Sequence, residues 1–381
     1  MENLGTETAF EVLAKAKALE KQGKDMVHLE IGEPDFDTPK NIKEAAVKAL
    51  NSGYTHYVPS AGIPELREAI AEYIAKTRRI EVHPDEVVVT PGGKPIMFFA
   101  ILACANKGDE IMYPNPGFPI YESVIKFVGA KAVPMPIKEK NNFSLDHEYF
   151  KKKLSKKTKM IILNSPENPT GGVLTHEDLE LVADCIAGRD DVIVLSDEIY
   201  SRITYEGEHE SLASFSGNKE KTIILDGFSK TYAMTGWRLG YGVMRKDLAQ
   251  KLAQLMTNSN SCTCAFIQIA GIEALKGPQT ESEKMVEEFR KRREIIVSGL
   301  NQIEGFSCQK PKGSFYVFPN ITGTRMQSCE LSDYLLKAGV AVLPGTAFGK
   351  YGKDYLRLSF ANSPENIQKA LTRIANALEK R

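Results

Sequence analysis

From about residue 64 to residue 300, short apolar runs alternate with segments of helical period. Residues 86–90 (EVVVT), 110–113 (EIMY), 131–135 (KAVPM), 160–163 (MIIL), 192–195 (VIVL), 222–225 (TIIL) and 240–244 (GYGVM) read as strands. Their apolar positions are mostly continuous and do not alternate, which predicts a mostly parallel sheet covered on both faces. Helical patterns fall between them. In 64–74, Leu66, Ala69, Ile70, Tyr73 and Ile74 form one apolar stripe, with Pro64 at the first helical position. Strand and helix in alternation predict an α/β fold with right-handed crossovers. A long helix is expected from Glu281 to about Ile303, with Met285, Phe289, Ile296, Leu300 and Ile303 on one face. It leads into a smaller α+β unit containing the runs 313–318, 340–343 and 355–360. The N-terminal arm is expected to pack with that unit. The expected architecture is a large domain (46–280) with a mostly parallel seven-stranded sheet sandwiched by helices, plus a smaller α+β domain formed by the arm (1–45) and the C-terminal part (281–381).

Composition narrows the function classes. Lys+Arg and Asp+Glu both number 49, so net charge offers no attraction to nucleic acid or anionic membrane. No apolar run reaches the roughly 18 residues of a membrane span, and the first residues lack the basic and apolar regions of a signal peptide. Six cysteines scattered over 381 residues point to reduced thiols in the cytoplasm. Cys262 and Cys264 lack a second ligand pair at zinc spacing, so no metal site is expected.

The chemistry lies in the segments that follow the strands. Lys230 comes directly after 222–226, and Arg238 follows eight positions later in the same segment. A lysine at a strand end is desolvated, which frees its neutral amine for imine formation. An arginine holds a phosphate with its planar fork. Amine plus phosphate anchor is the minimum kit for pyridoxal 5′-phosphate. Gly92-Gly93-Lys94 follows the first strand, Asn168 lies in the loop after 160–163, and Asp197 and Tyr200 follow 192–195. Ligands bind at the carboxyl edge of an open parallel sheet, so one cleft receives all of these residues. There, Lys230 would carry the imine and shuttle a proton. Asp197 would pair with the pyridine nitrogen and keep it protonated. Tyr200 and Asn168 would donate hydrogen bonds to the phenolate oxygen. Backbone amides of Gly92, Gly93 and Lys94, opening a helix, would form a nest for the phosphate that Arg238 completes. Each residue alone has an ordinary explanation: a cap, a turn or a core tyrosine. Their joint occurrence at successive strand ends is what selects the cofactor.

The motifs resemble those of the class I/II aminotransferases, fold type I of the pyridoxal-phosphate enzymes, in the branch of bacterial and archaeal aspartate and aromatic aminotransferases. The resemblance runs from Ile31 to the C-terminus and is carried by residues 31–36 (IGEPDF), 57–62 (YVPSAG), 164–171 (NSPENPTG), 196–200 (SDEIY), 229–240 (SKTYAMTGWRLG) and 355–360 (YLRLSF). It implies transfer of an amino group between an α-amino acid and a 2-oxo acid by a ping-pong mechanism. Arg357 looks like the arginine that clamps the substrate α-carboxylate, and Gly32 like a backbone contact near it. Asn168 is implied at the substrate as well as at the cofactor. Phe118 occupies the place of the aromatic that stacks on the cofactor ring. Tyr57 resembles the tyrosine that reaches the partner's phosphate, which implies a homodimer with shared active sites.

The chain departs from the pattern at three places. Gly227 stands where many relatives have a phosphate-binding serine, leaving Ser229 as the substitute. Phe118 replaces the tryptophan of some aspartate enzymes. Residues 252–268 contain no arginine, whereas certain aspartate enzymes anchor the distal carboxylate from this region. The side-chain pocket stays open: Lys94 or another cation serves acidic substrates, or the pocket takes aromatic or small apolar side chains. Two other outcomes keep the same cofactor residues. One is a lyase of the β-elimination type. The other is a cofactor-sensing regulator, which would carry a DNA-binding domain ahead of a pattern that here begins at Gly32.

Overall fold

The computed structural model describes residues 4–380. The first strand, β1 (Val27–His28), lies outside the main sheet. That sheet has seven strands: β2 (Val87–Thr90), β3 (Glu110–Asn115), β4 (Lys131–Pro136), β5 (Thr158–Asn164), β6 (Ile193–Asp197), β7 (Thr222–Gly227) and β8 (Gly240–Val243), in the order β2-β8-β7-β6-β5-β3-β4. All neighbours are parallel except β8, which is antiparallel to both β2 and β7. The fold is therefore α/β with a mostly parallel central sheet. Every residue of β2, β3, β5, β6, β7 and β8 is buried except Lys159, as continuous apolar runs require. Within this sheet only β4, at one edge, keeps an exposed residue, Lys131, while β2 forms the other edge. β4 also carries Pro134 and Pro136, residues that lack a ladder donor and are tolerated at an edge.

Helices cover both faces. Ile96, Ala100 and Tyr121 join one layer, while Leu66, Ile70 and Ala274 join the other. The 22-residue helix Thr280–Asn301 buries Met285, Phe289, Ile296 and Leu300, one stripe of a 3.6-residue period. It ends two residues before Ile303, which is buried just beyond it.

Beyond this helix the strands are β9 (Tyr316–Val317), β10 (Val340–Ala341), β11 (Leu343–Pro344) and β12 (Leu356–Ser359). β11, β12 and β9 form a small antiparallel sheet, and β10 pairs in parallel with β1. Two apolar runs give shorter strands than their length suggests. Run 340–343 serves two sheets, so it divides at Val342. Run 313–318 pairs only at its centre because its approach is tied elsewhere. Lys312 and Gly313 donate to the Gly171 carbonyl, and Ser314 donates to Ile203. Among the described residues, no helix is long and apolar enough to cross a membrane. The six cysteines are unpaired.

Candidate active site

Because β8 is antiparallel to both neighbours, β2 runs the same way as β7, and six strands end on one edge. A cavity of about 840 Å³ opens there. Gly93, Lys94 and Phe118 line it, as do Asn168, Asp197, Tyr200, Ser229, Lys230 and Arg238 from the large sheet's loops. Gly32 reaches it from the segment after β1, and Arg357 from β12. Two expected residues are not in its lining. Gly92 sits behind the cavity wall, and Tyr57 stands apart with 88% of its surface exposed.

Lys230 donates from Nζ to the Gly32 carbonyl at 2.6 Å. Some of its surface opens into the cavity, yet surrounding protein desolvates the ammonium. That burial pulls its pKa down to about 8, with Arg357, Arg238 and Lys94 adding repulsion against the opposing pull of Glu33. Near neutral pH an appreciable share of the amine is therefore neutral.

Asp197, the last residue of β6, is buried. Burial lifts its carboxyl to about 6, while hydrogen bonds from the Tyr121 hydroxyl (2.6 Å, to Oδ2) and the Ile199 amide (3.3 Å, to Oδ1) pull it back. Its loop is held by Asn164, whose Nδ2 donates to the Asp197 carbonyl (3.0 Å) while Oδ1 accepts from the Asn168 amide (3.0 Å). Asn168 Oδ1 in turn accepts from Arg357 Nη1 at 3.2 Å.

Arg357 is buried among rings, 4.5 Å from the Tyr316 centroid and 5.0 Å from that of Phe348. Its Nη2 donates to the Glu30 carbonyl, and its buried Nε has no partner. A buried cation with an unspent donor is poised for an anion, because an unmet donor costs free energy. The Tyr316 hydroxyl shares a 2.9 Å hydrogen bond with that of Tyr200. A Cβ added at Gly32 would lie 2.0 Å from the same hydroxyl, which is why glycine stands there.

The phosphate nest differs from expectation in one respect. Gly92 has φ +85° and its N–H donates to the Thr90 carbonyl, so that amide is already committed. Gly93 and Lys94 open the helix Lys94–Cys104 and supply the amides at its positive end. Gly92 serves differently. A Cβ there would meet Arg238 Nη2 at 2.2 Å, so its bareness admits the guanidinium. Thr235 and Pro91 carbonyls hold that guanidinium at 2.8 and 3.4 Å.

Four residues that shape the site were not assigned from sequence: Tyr121, Asn164, Tyr316 and Glu7. Asn164 carried a signal, being the last residue of a strand whose neighbour β6 ends in Asp197. A further buried layer supports the loops. Arg78 donates from Nε to Glu198 Oε2 (2.6 Å) and from Nη2 to Asp226 Oδ2 (3.0 Å). Burial alone would raise the Glu198 carboxyl, but Arg78, His209 and Ser211 outweigh it and hold it well below the carboxylate range.

The sequence model of the family described as aminotransferase class I and II matches residues 24–374. An aspartate aminotransferase of Pyrococcus horikoshii is 45% identical over 359 residues, covering 93% of this chain and 91% of that one. An aromatic-amino-acid aminotransferase of Thermococcus litoralis is 39% identical over 361 residues, covering 93% and 92%. The structure of an aspartate aminotransferase from Thermus thermophilus with maleate superposes with a TM-score of 0.95 at 37% identity, covering 99% of this chain and 98% of that one.

Proposed function

Because the chain belongs to the class I and II aminotransferases, we propose that this cavity is its active site and that Lys230, Asp197 and Tyr200 are its catalytic residues. The overall reaction moves an amino group between an α-amino acid and a 2-oxo acid in two half-reactions. We take the cofactor to be pyridoxal 5′-phosphate, and the cavity's residues fit it. A desolvated amine, a buried carboxylate and an arginine admitted by a bare glycine line the same cavity. When bound, the cofactor supplies the carbonyl that takes up the amino group and a ring that draws electron density from the substrate Cα.

The protein's own residues do the rest. The neutral Lys230 amine would hold the cofactor and, when free, would carry the Cα proton. Asp197, ionised, holds a proton on the pyridine nitrogen. Arg357 takes Asn168 Oδ1, so any hydrogen bond that the Asn168 side chain offers the cofactor is a donated one, and Tyr200 offers a second from its hydroxyl. The amides of Gly93 and Lys94, the Ser229 hydroxyl and Arg238 would hold the phosphate, and Phe118 would pack on the ring. Arg357 clamps the substrate α-carboxylate beside Gly32. In this reading residues 46–280 hold the cofactor, while 1–45 and 281–381 bring the carboxylate clamp.

The observation that carries the reading is Lys230, an amine held near pKa 8 in the same cavity as Asp197 and Arg357. The solvent-facing Tyr57 supports a homodimer in which it completes the partner's phosphate site. The family resemblance leaves three substrate ranges, aspartate, aromatic or broad, and unpaired thiols fit a cytoplasmic protein. The test mixes cofactor-loaded enzyme with single amino acids and no oxo acid, followed by absorbance. Loss of the lysine-linked band with gain of the pyridoxamine band is expected. Lys230→Ala should show no steady turnover, and sustained transamination by it would overturn the assignment.

A further inference from the structure

Lys94 contributes its backbone amide to the phosphate nest, but its side chain does something else. Its Nζ lies 5.5 Å from the Phe118 ring centroid and pairs with Glu7 Oε1. Both residues line the cavity. We propose that Glu7 sets the substrate class: by neutralising Lys94 it turns the cavity against dicarboxylic amino acids and leaves it to uncharged, chiefly aromatic or apolar, side chains. The proposal rests on the aminotransferase reading of this cavity.

Six cationic or potentially cationic side chains line the cavity: Lys17, His28, Lys94, Lys230, Arg238 and Arg357. Lys230, Arg238 and Arg357 serve the cofactor and the α-carboxylate. Lys17 pairs with Glu20 at 2.9 Å, and His28 lies between Glu20 (3.0 Å) and Glu30 (2.7 Å). Lys94 is the remaining cation, and Glu7 holds it. A second substrate carboxylate would therefore find no uncommitted partner among these residues. To reach Lys94 it would have to displace Glu7, against the repulsion of a like charge in a partly desolvated site.

Glu7 is not free to swing away. Two residues earlier, Gly5 is fastened in both directions to Ser123: its N–H donates to Oγ at 2.8 Å, and Oγ donates to its carbonyl at 3.2 Å. Directly after Glu7 the helix Thr8–Lys21 begins. The Glu7 side chain is only 17% exposed, whereas that of Lys94 is 49% exposed, so the carboxylate is the more enclosed of the two. Phe118 lies beside Lys94, and the same cavity is also lined by the apolar Leu13, Ile31 and Phe348. A phenyl or aliphatic side chain gains from burial there without disturbing an ion pair.

The test compares wild-type holoenzyme with Glu7→Gln, Lys94→Gln and the double variant. Two readouts are used. One is the ratio of kcat/KM for aspartate to that for phenylalanine. The other is calorimetric affinity for the unreactive acids succinate and 3-phenylpropionate. With Lys94 released, Glu7→Gln should raise both the aspartate-to-phenylalanine ratio and the succinate-to-phenylpropionate affinity ratio by roughly tenfold or more. Lys94→Gln in that background should abolish the gain. Unchanged ratios in Glu7→Gln, or a gain that survives the loss of Lys94, would overturn the proposal. If the wild-type enzyme converts no amino acid, the assignment of the reaction to this cavity fails, and the succinate affinities still decide the role of Glu7.

Discussion

The Tyr121 hydroxyl donates to Asp197 Oδ2 across 2.6 Å, with both side chains buried. This bond opposes the desolvation that lifts Asp197 to about 6. In the proposed reaction Asp197 must be ionised to hold a proton on the pyridine ring, so Tyr121 would act through it as a positioning residue. Tyr121→Phe removes one hydrogen bond to a charged acceptor, and the Asp197 pKa should rise further. The acid limb of the kcat profile is then expected to move to higher pH by roughly one unit. A merely structural tyrosine would leave that limb in place.

Arg357 offers a planar fork that a lysine cannot copy. Arg357→Lys should lower kcat/KM for amino acids by about a hundredfold, mostly through KM, on the scale of one lost charged pair. The control is 2-phenylethylamine, which has no carboxylate. Its slow conversion in the half-reaction should be nearly unaffected. An equal loss for both amines would show that Arg357 acts on the fold and does not clamp the carboxylate.

Arg78 is shared by two buried carboxylates, Glu198 and Asp226, on the strand ends that carry Asp197 and lead to Lys230. Arg78→Met leaves two buried charges without their partner. A loss of about 3–5 kcal/mol is expected, the usual consequence of breaking a buried pair from one side. Urea denaturation followed by circular dichroism measures it. A loss below about 1 kcal/mol would mean that the two carboxylates find other partners or take up protons.

Glu167 precedes Asn168 and is fully enclosed, with its Oε2 accepting from Thr170 and its Oε1 unpartnered. Burial raises its carboxyl from 4.5 to about 8. A raised carboxyl binds its proton more tightly in the folded chain than in the unfolded one. Its stabilising contribution is therefore complete below pH 4.5 and is lost as pH rises through about 8. Glu167→Gln cannot ionise and escapes that loss. Melting curves at pH 6.5 and pH 9 should show the variant gaining on the wild type at the higher pH, by roughly 1–3 kcal/mol. Parallel pH dependence in the two proteins would remove Glu167 from this role.

The strand ends were legible because parallel strands put their carboxyl termini on one edge, so chain order alone groups Asn168, Asp197 and Lys230. Arg357 was different: nothing local marks a charged residue on a short strand, and only resemblance singled it out. Tyr121, Tyr316 and Glu7 gave no usable signal. Their partners lie 76, 116 and 87 positions away in the chain, and such contacts exist only after the sheet has closed. The orientation of the Gly92 amide was equally hidden. A glycine run announces a turn, but not which N–H turns inward to Thr90.

The pairing of Val27 with Val340 has a consequence for synthesis on the ribosome. β1 emerges first, yet its partner follows about 310 residues later. At bacterial or eukaryotic elongation rates of about 5–20 residues per second, that is roughly a quarter of a minute to a minute. The seven-stranded sheet is complete in sequence well before then. The sheet's whole sequence is thus released while β1 still lacks its partner. Arg357 joins the cavity only after β12 has also left the exit tunnel, so a product truncated before β12 would lack the arginine proposed to seat the substrate carboxylate.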